Sequence, residues 1–221
     1  DVIHVDTGTY ILPTDIVIDA EDAGVMITGP TGGGEAVLDR ANTNPGSYVF
    51  EFGADADDVT LSHLTMEGAY TGVYVDDNLD VDNLRIEESE IRNNSHFGVH
   101  VGSGSTSTEN DNAAFVNLTV HDNSSYGLYI HSGPGTHITG GDYYANNYGI
   151  YFYNSPASVV EGAEVHGNSS TGIHARSGNG LVLRDNLVYD NRDGIKASSS
   201  MLVTGNTVYG HEDNSGDYGI Q

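Results

Sequence analysis

Hydrophobic and polar positions alternate along this chain in short pieces, and Asn, Asp or Gly closes each piece before helical spacing can develop. The stretch Leu181-Val182-Leu183-Arg184-Asp185-Asn186-Leu187-Val188-Tyr189-Asp190-Asn191-Arg192-Asp193-Gly194-Ile195-Lys196-Ala197 shows the grammar, with three runs of two to four strand-forming residues. Ser158–Val165 and Met201–Tyr209 repeat it. A phrase of polar residues, glycine, an aliphatic residue and then alternation recurs, as in Tyr70-Thr71-Gly72-Val73-Tyr74 and Ser125-Tyr126-Gly127-Leu128-Tyr129. Its glycines fall at 72, 98, 127, 149, 172, 194 and 219, in steps of 22 to 29 residues. A period in that range marks stacked repeats, each burying its apolar face only against its neighbours. The predicted fold is therefore all-β: one right-handed parallel β-helix over residues 1–221, with about eight to nine coils.

Register follows from strand alternation. The aliphatic residue after each glycine (Val73, Val99, Leu128, Ile150, Ile173, Ile195) points inward. Two residues on, Val75, Val101, Ile130, Phe152, Ala175 and Ala197 point inward again, and all are apolar. The residues between and beyond them form two outward columns. One is Tyr74, His100, Tyr129, Tyr151, His174, Lys196 and Gln221; the other is Asp76, Gly102, His131, Tyr153, Arg176 and Ser198. Asn94, Asn123, Asn146, Asn168 and Asn191, each a few residues before a glycine, predict an internal amide ladder at a tight turn. Asparagine tolerates the left-handed turn conformation, and the glycines are expected to supply backbone angles that other residues resist.

Charge changes the picture. The 221 residues carry 32 acids against 7 Lys and Arg, a net −25, with Lys196 the sole lysine. That field repels nucleic acid and anionic membranes, and suits an extracellular, salty or calcium-rich setting. It is uneven: residues 1–120 hold 22 acids against Arg40, Arg85 and Arg92, a balance of −19, whereas residues 121–210 balance at −3. A surface that welcomes a polyanion belongs in the second half. There is no cysteine and no apolar stretch of membrane-spanning length, so no membrane insertion is expected, and any export signal is expected to have been removed before Asp1. The chain stops two residues into another repeat, so it is expected to be part of a longer chain or to have its open end capped by a neighbouring domain or subunit.

The outward columns thus place rings, imidazoles and cations on one flank of an acidic rod. Rings stack on sugars, and Arg and Lys meet carboxylates, so the expected partner is an acidic polysaccharide. His100, Tyr153, His174, Arg176 and Lys196 are the candidate substrate-binding residues. A second candidate, the acid-rich Asp55, Asp57, Asp58 and Asp76–Asp82, would suit a hard cation such as calcium, but lacks the spacing of known calcium repeats and reads as solvated acidic loops. The ten histidines form no HExxH pattern. Metal ligands are therefore unassigned, with calcium a possible cofactor.

Residues 137–221, through Gly140-Gly141-Asp142-Tyr143-Tyr144-Ala145-Asn146-Asn147, Val165-His166-Gly167-Asn168 and Gly205-Asn206-Thr207-Val208, resemble the catalytic module of bacterial mannuronan C5-epimerases, within the pectate-lyase-like set of β-helices. The resemblance implies extracellular work on alginate, often with calcium. The family's Tyr-Gly-Phe-Asp-Pro-His signature aligns with Tyr126-Gly127-Leu128-Tyr129-Ile130-His131. Tyr126 and His131 fall on its catalytic tyrosine and histidine, while Tyr129 and Tyr153 stand where aspartates are expected. Two readings stay open. One is a uronan lyase or epimerase, with Tyr126, Tyr129, Tyr151 and His131 as acid–base candidates; the other is a non-catalytic carbohydrate-binding, adhesive or stalk module.

Overall fold

In the computed structural model, which describes residues 1–76, 79–102, 110–198, 200–211 and 218–221, every strand pairs in parallel with the strand one coil away. Three sheets result, of nine, nine and eight strands. One coil runs Ala114–Val116 in the first sheet, Thr119–His121 in the second and Tyr126–His131 in the third. The next repeats this as His137–Thr139, Asp142–Tyr144 and Tyr148–Tyr153. The only helix among the described residues is a single 3-10 turn, Ala20–Asp22, capped by Asp19. No helix there is long and apolar enough to cross a membrane.

The core is the set of inward residues stacked coil on coil. Val73, Val99, Leu128, Ile150, Ile173 and Ile195 are all fully buried, as are Val75, Ile130, Phe152 and Ala175. Their ladder partners are the predicted ones: Val99 opposes Val73 and Leu128, and Ile150 opposes Ile173. Ala197, near the top of the solenoid, is only partly covered.

The amide ladder is present. Asn94 Nδ2 donates to Asn123 Oδ1 at 3.0 Å, Asn123 Nδ2 to Asn146 Oδ1 at 3.1 Å, and Asn168 Nδ2 to Asn191 Oδ1 at 2.8 Å. A second rung pair, Asn186 to Asn206 at 2.9 Å, marks the turn between the first and second sheets. The backbone reason differs from the one expected. The left-handed residue is the one just before each ladder asparagine: Asn93, Asp122, Ala145, Gly167 and Asp190 have φ of 54°, 53°, 51°, 60° and 51°. The asparagine itself follows that kink and turns its amide inward to the carbonyls the kink leaves unpaired.

The recurring glycines also act differently from expectation, since none of the seven is among the positive-φ residues. They are needed for close approach. A Cβ on Gly98 would lie 2.6 Å from Gly127 O in the next coil, and one on Gly127 would lie 2.6 Å from Gly149 O. Bare Cα atoms there let successive coils close on one another at the corner.

Candidate functional site

The glycine interrupts strict alternation in the third sheet. Pairing runs Phe97 to Tyr126 and resumes at Val99 to Leu128. Rings on both sides of the glycine consequently reach the outer face, and two ladders of rings run side by side. In the first, Tyr48 stacks on Tyr74 (centroids 4.3 Å apart), followed by His100 at 5.2 Å, Tyr129 at 5.0 Å, Tyr151 at 5.2 Å and His174 at 5.1 Å. In the second, Tyr70 stacks on His96, and Phe97 on Tyr126 and then Tyr148. Edge-on contacts tie the two together: Tyr126 lies 5.1 Å from Tyr129 and 5.3 Å from Tyr151.

The predicted first column is thus in register from Tyr74 through Lys196, with Gln221 bonded alongside through its backbone to Ile195 and Ala197. Some of its members are less open than outward positions suggest. His100, His131 and Tyr151 are 9%, 8% and 8% exposed, because rings from neighbouring coils cover them. His100 donates from Nε2 to Gly102 O at 3.0 Å, which fixes its tautomer. His131 stacks on Tyr153 at 4.6 Å, and the Arg176 guanidinium sits 5.5 Å above the Tyr153 ring. Lys196 is held by Asp193 at 2.7 Å, so its charge is already answered within the protein.

Between Tyr48 and Tyr129 the rings line a cleft of about 590 Å³, with Tyr70, Thr71, Tyr74, His96, Phe97, His100, Ser125 and Tyr126. Tyr48, Tyr70, His96, Phe97 and Tyr148 join this face without standing in the columns expected from alternation. Tyr70, His96, Phe97 and Tyr148 carried a signal, a ring one or two residues before a recurring glycine, whereas Tyr48 precedes Val49 and carried none. The cleft lies below the cationic end: Lys196 stands coils above it, and Arg176, two coils on from Tyr129, reaches back to Tyr151 and Tyr129 at its upper edge.

Electrostatics separate the two ends. At the lower end Glu51 is in register with Tyr74. Burial, and then Asp15 and Asp76, push its carboxyl above the usual range. Asp15 accepts from Tyr48 N at 3.0 Å and pairs with Arg40 at 2.6 Å; the Tyr74 hydroxyl donates to Asp76 at 3.2 Å. Burial holds His96 below the ordinary imidazole value. At the upper end burial, reinforced by Lys196 and Arg176, does the same to His174. Both imidazoles are neutral at neutral pH, and each has a buried Nδ1 without a hydrogen-bond partner. Tyr126 is pushed up by burial and by Tyr148 and Tyr151, so its phenol stays protonated. It can give a proton but is a poor base.

A third ring ladder lies on the second sheet. His121, Tyr144, His166, Tyr189 and Tyr209 stack at 4.6, 5.1, 4.8 and 5.3 Å, all within 9° of parallel. Carboxylates attend its polar atoms. His121 meets Glu90 and Asp122 at 2.8 and 2.7 Å, His166 lies 3.1 Å from Asp142, and Tyr189 donates to Glu164 at 2.7 Å. In that flat stack His121, His166 and Tyr189 are answered by carboxylates of the protein itself, which sets it apart from the cleft on the third sheet.

Among the described residues no three His, Asp or Glu side chains are placed to hold a metal ion together. Part of the acid-rich Asp76–Asp82 stretch, residues 77–78, lies outside the described residues.

Fold and face together define a parallel β-helix with an aromatic flank. Residues 71–221 match the family model described as the right-handed β-helix region, and the chain belongs to that family. Its solved structural relatives include ORF18 of Geobacillus virus E2 (TM-score 0.70, 14% identity), a match covering the whole of this chain and 51% of the viral one. This chain thus spans about half the viral protein's length. A pectate lyase is similar at TM-score 0.65 and 15% identity, over 98% of this chain and 71% of that one. The A-module of a mannuronan C-5 epimerase of Azotobacter vinelandii is similar at 0.52 and 13%, over 100% and 89%. No curated protein matches the chain in sequence. At these identities the likeness is one of fold.

Proposed function

We propose that the third-sheet face binds an extended extracellular polysaccharide, whose sugar rings pack in the cleft between Tyr48 and Tyr129 and continue toward Tyr153 and Arg176. The observation that carries this reading is the paired ladder of rings opening into a cleft of about 590 Å³. Concave, ring-lined surfaces with a few polar groups are where small ligands and sugars are held. The fold relatives that act on pectate and mannuronan support the substrate class.

Calorimetric titration against a panel of oligosaccharides tests it. Tyr74→Ala and Tyr129→Ala should each weaken binding about tenfold, as expected for loss of roughly 1.5 kcal/mol of ring packing. Tyr189→Ala, on the second-sheet stack, should leave affinity unchanged. Loss of binding in the Tyr189 variant alone, or no binding to any sugar, would refute the proposal.

A second reading, uronan lyase or epimerase, is favoured by one observation: Tyr126 and His131 share one strand of this face, and Arg176, two coils on, lies over Tyr153, which stacks on His131. Arg176 would neutralise the uronate carboxylate, and His131 would take the C5 proton. Tyr126, held protonated, would donate to the opposite ring face in epimerisation, or to the departing C4 oxygen as the C4–C5 double bond forms in elimination. Tyr126→Phe should then abolish turnover while sparing affinity. Ultraviolet absorbance of the unsaturated product reports elimination, and proton NMR of the polymer reports epimerisation.

A further inference from the structure

Resting on the proposal that the third-sheet face binds polysaccharide, we infer that the sugars held in the cleft between Tyr48 and Tyr129 are uncharged, and that the cleft rejects uronates. The aromatic lining fixes where sugars sit, and the charges around it fix which sugars can enter. No lysine or arginine is among the residues that line the cleft. Its imidazole at His96 is kept neutral by burial, and His100 spends its Nε2 proton on Gly102 O.

What surrounds the cleft is negative. Glu51 continues the column directly below Tyr74. Asp15 holds the backbone of Tyr48, and Asp76 accepts from the hydroxyl of Tyr74, so both acids are anchored to the rings that form the lower end of the cleft. The nearby cation, Arg40, is bonded to Asp15 with its side chain 12% exposed, so it is spent within the protein. The crowding registers on Glu51 itself, whose carboxyl is raised by burial and by Asp15 and Asp76.

A uronan brings a carboxylate with every sugar. Each one placed here would meet like charges in a partly desolvated groove, with no cation to accept it. Hydroxyl-bearing neutral sugars meet no such opposition. Their faces stack on Tyr74 and Tyr129, and their hydroxyls can donate to the carboxylate rim, a charge-assisted bond stronger than one between neutral groups. Arg176 acts on Tyr151 and Tyr129 at the upper edge of the cleft, four coils from Tyr74, and Lys196 is spent on Asp193, so neither reaches the acidic lower end where Glu51, Asp15 and Asp76 stand.

Calorimetry with length-matched neutral hexose and uronate oligosaccharides, at low and high salt, decides it. Neutral chains should bind at least about tenfold tighter than uronates at low salt, and added salt should narrow the gap by screening the repulsion. Glu51→Gln should narrow it too, by several-fold, through better uronate binding. Neutral affinity should fall with Tyr74→Ala, which places the sugar in the cleft. Uronates binding more tightly than neutral chains, with that binding lost in Tyr74→Ala, would overturn this inference while leaving the polysaccharide reading intact. No effect of Tyr74→Ala or Tyr129→Ala on any sugar would overturn that reading, and the inference with it.

Discussion

Asn146→Ala lowers the melting temperature by about 10 °C, whereas Asn147→Ala one residue on barely moves it. Asn146 is 3% exposed and serves four partners. Its Nδ2 donates to Val120 O at 3.0 Å and to Tyr144 O at 2.9 Å, and its Oδ1 accepts from Asn123 N and Asn123 Nδ2, both at 3.1 Å. Truncation takes a partner from the carbonyls of Val120 and Tyr144 and from Asn123 N, while Asn123 Nδ2 keeps Ile91 O and His121 O. Such groups cost about 1–3 kcal/mol each, and partial relaxation brings the total to about 4 kcal/mol. At roughly 2–4 °C per kcal/mol for a chain of this size, that is a shift of about 10 °C. Asn147 makes only a surface bond to Ser169 at 3.3 Å, so its loss should stay within about 0.5 kcal/mol. Thermal melts followed by circular dichroism compare the two, and equal shifts would mean that the ladder contributes no more than ordinary surface polarity.

Gly127→Ala destabilises by about 3 kcal/mol, the upper end of the range for overpacking. The new methyl would lie 2.6 Å from Gly149 O, a backbone atom that cannot swing aside, and 3.0 Å from Asn146 Nδ2. Relief requires two coils to separate at the corner that carries Tyr126 and Tyr129, so sugar affinity should fall with stability. Gly167 provides the contrast. Its φ is +60°, but nothing lies within 4 Å of an added Cβ, and Ala145 already occupies the equivalent position one coil below. Gly167→Ala should therefore cost only about 1 kcal/mol, the penalty of a left-handed alanine. A Gly167 variant less stable than the Gly127 variant would return the recurring glycines to a conformational role.

The period, the inward residues and the asparagine ladder were legible in the sequence because each repeats at one place in every coil. Val99, Leu128 and Ile150 could be put in register from spacing alone, and they pair as the spacing requires. What the sequence hid lies where alternation fails. Crossing the glycine, the strand loses strict period two, so Phe97 and Tyr126 reach the same face as His100 and Tyr129, and a ladder of rings from before the glycine joins the two columns expected after it. The stack from His121 to Tyr209 went unread for another reason. Its members recur two residues before the turn position occupied by the ladder asparagines, but mix imidazole and phenol and so look unrelated as letters. Charge was read by halves of the chain. Folding places Asp15, Glu51 and Asp76 beside one cleft although they are far apart in sequence, and it pairs Lys196 with Asp193.

The most direct test of the central claim is a crystal structure with the tightest-binding oligosaccharide of the panel. The sugar chain should lie along the solenoid axis on the third sheet, with successive sugar faces against Tyr74, Tyr129 and Tyr151. A ligand seated instead on the second-sheet stack from His121 to Tyr209, or a third-sheet face left bare at saturating sugar, would contradict it.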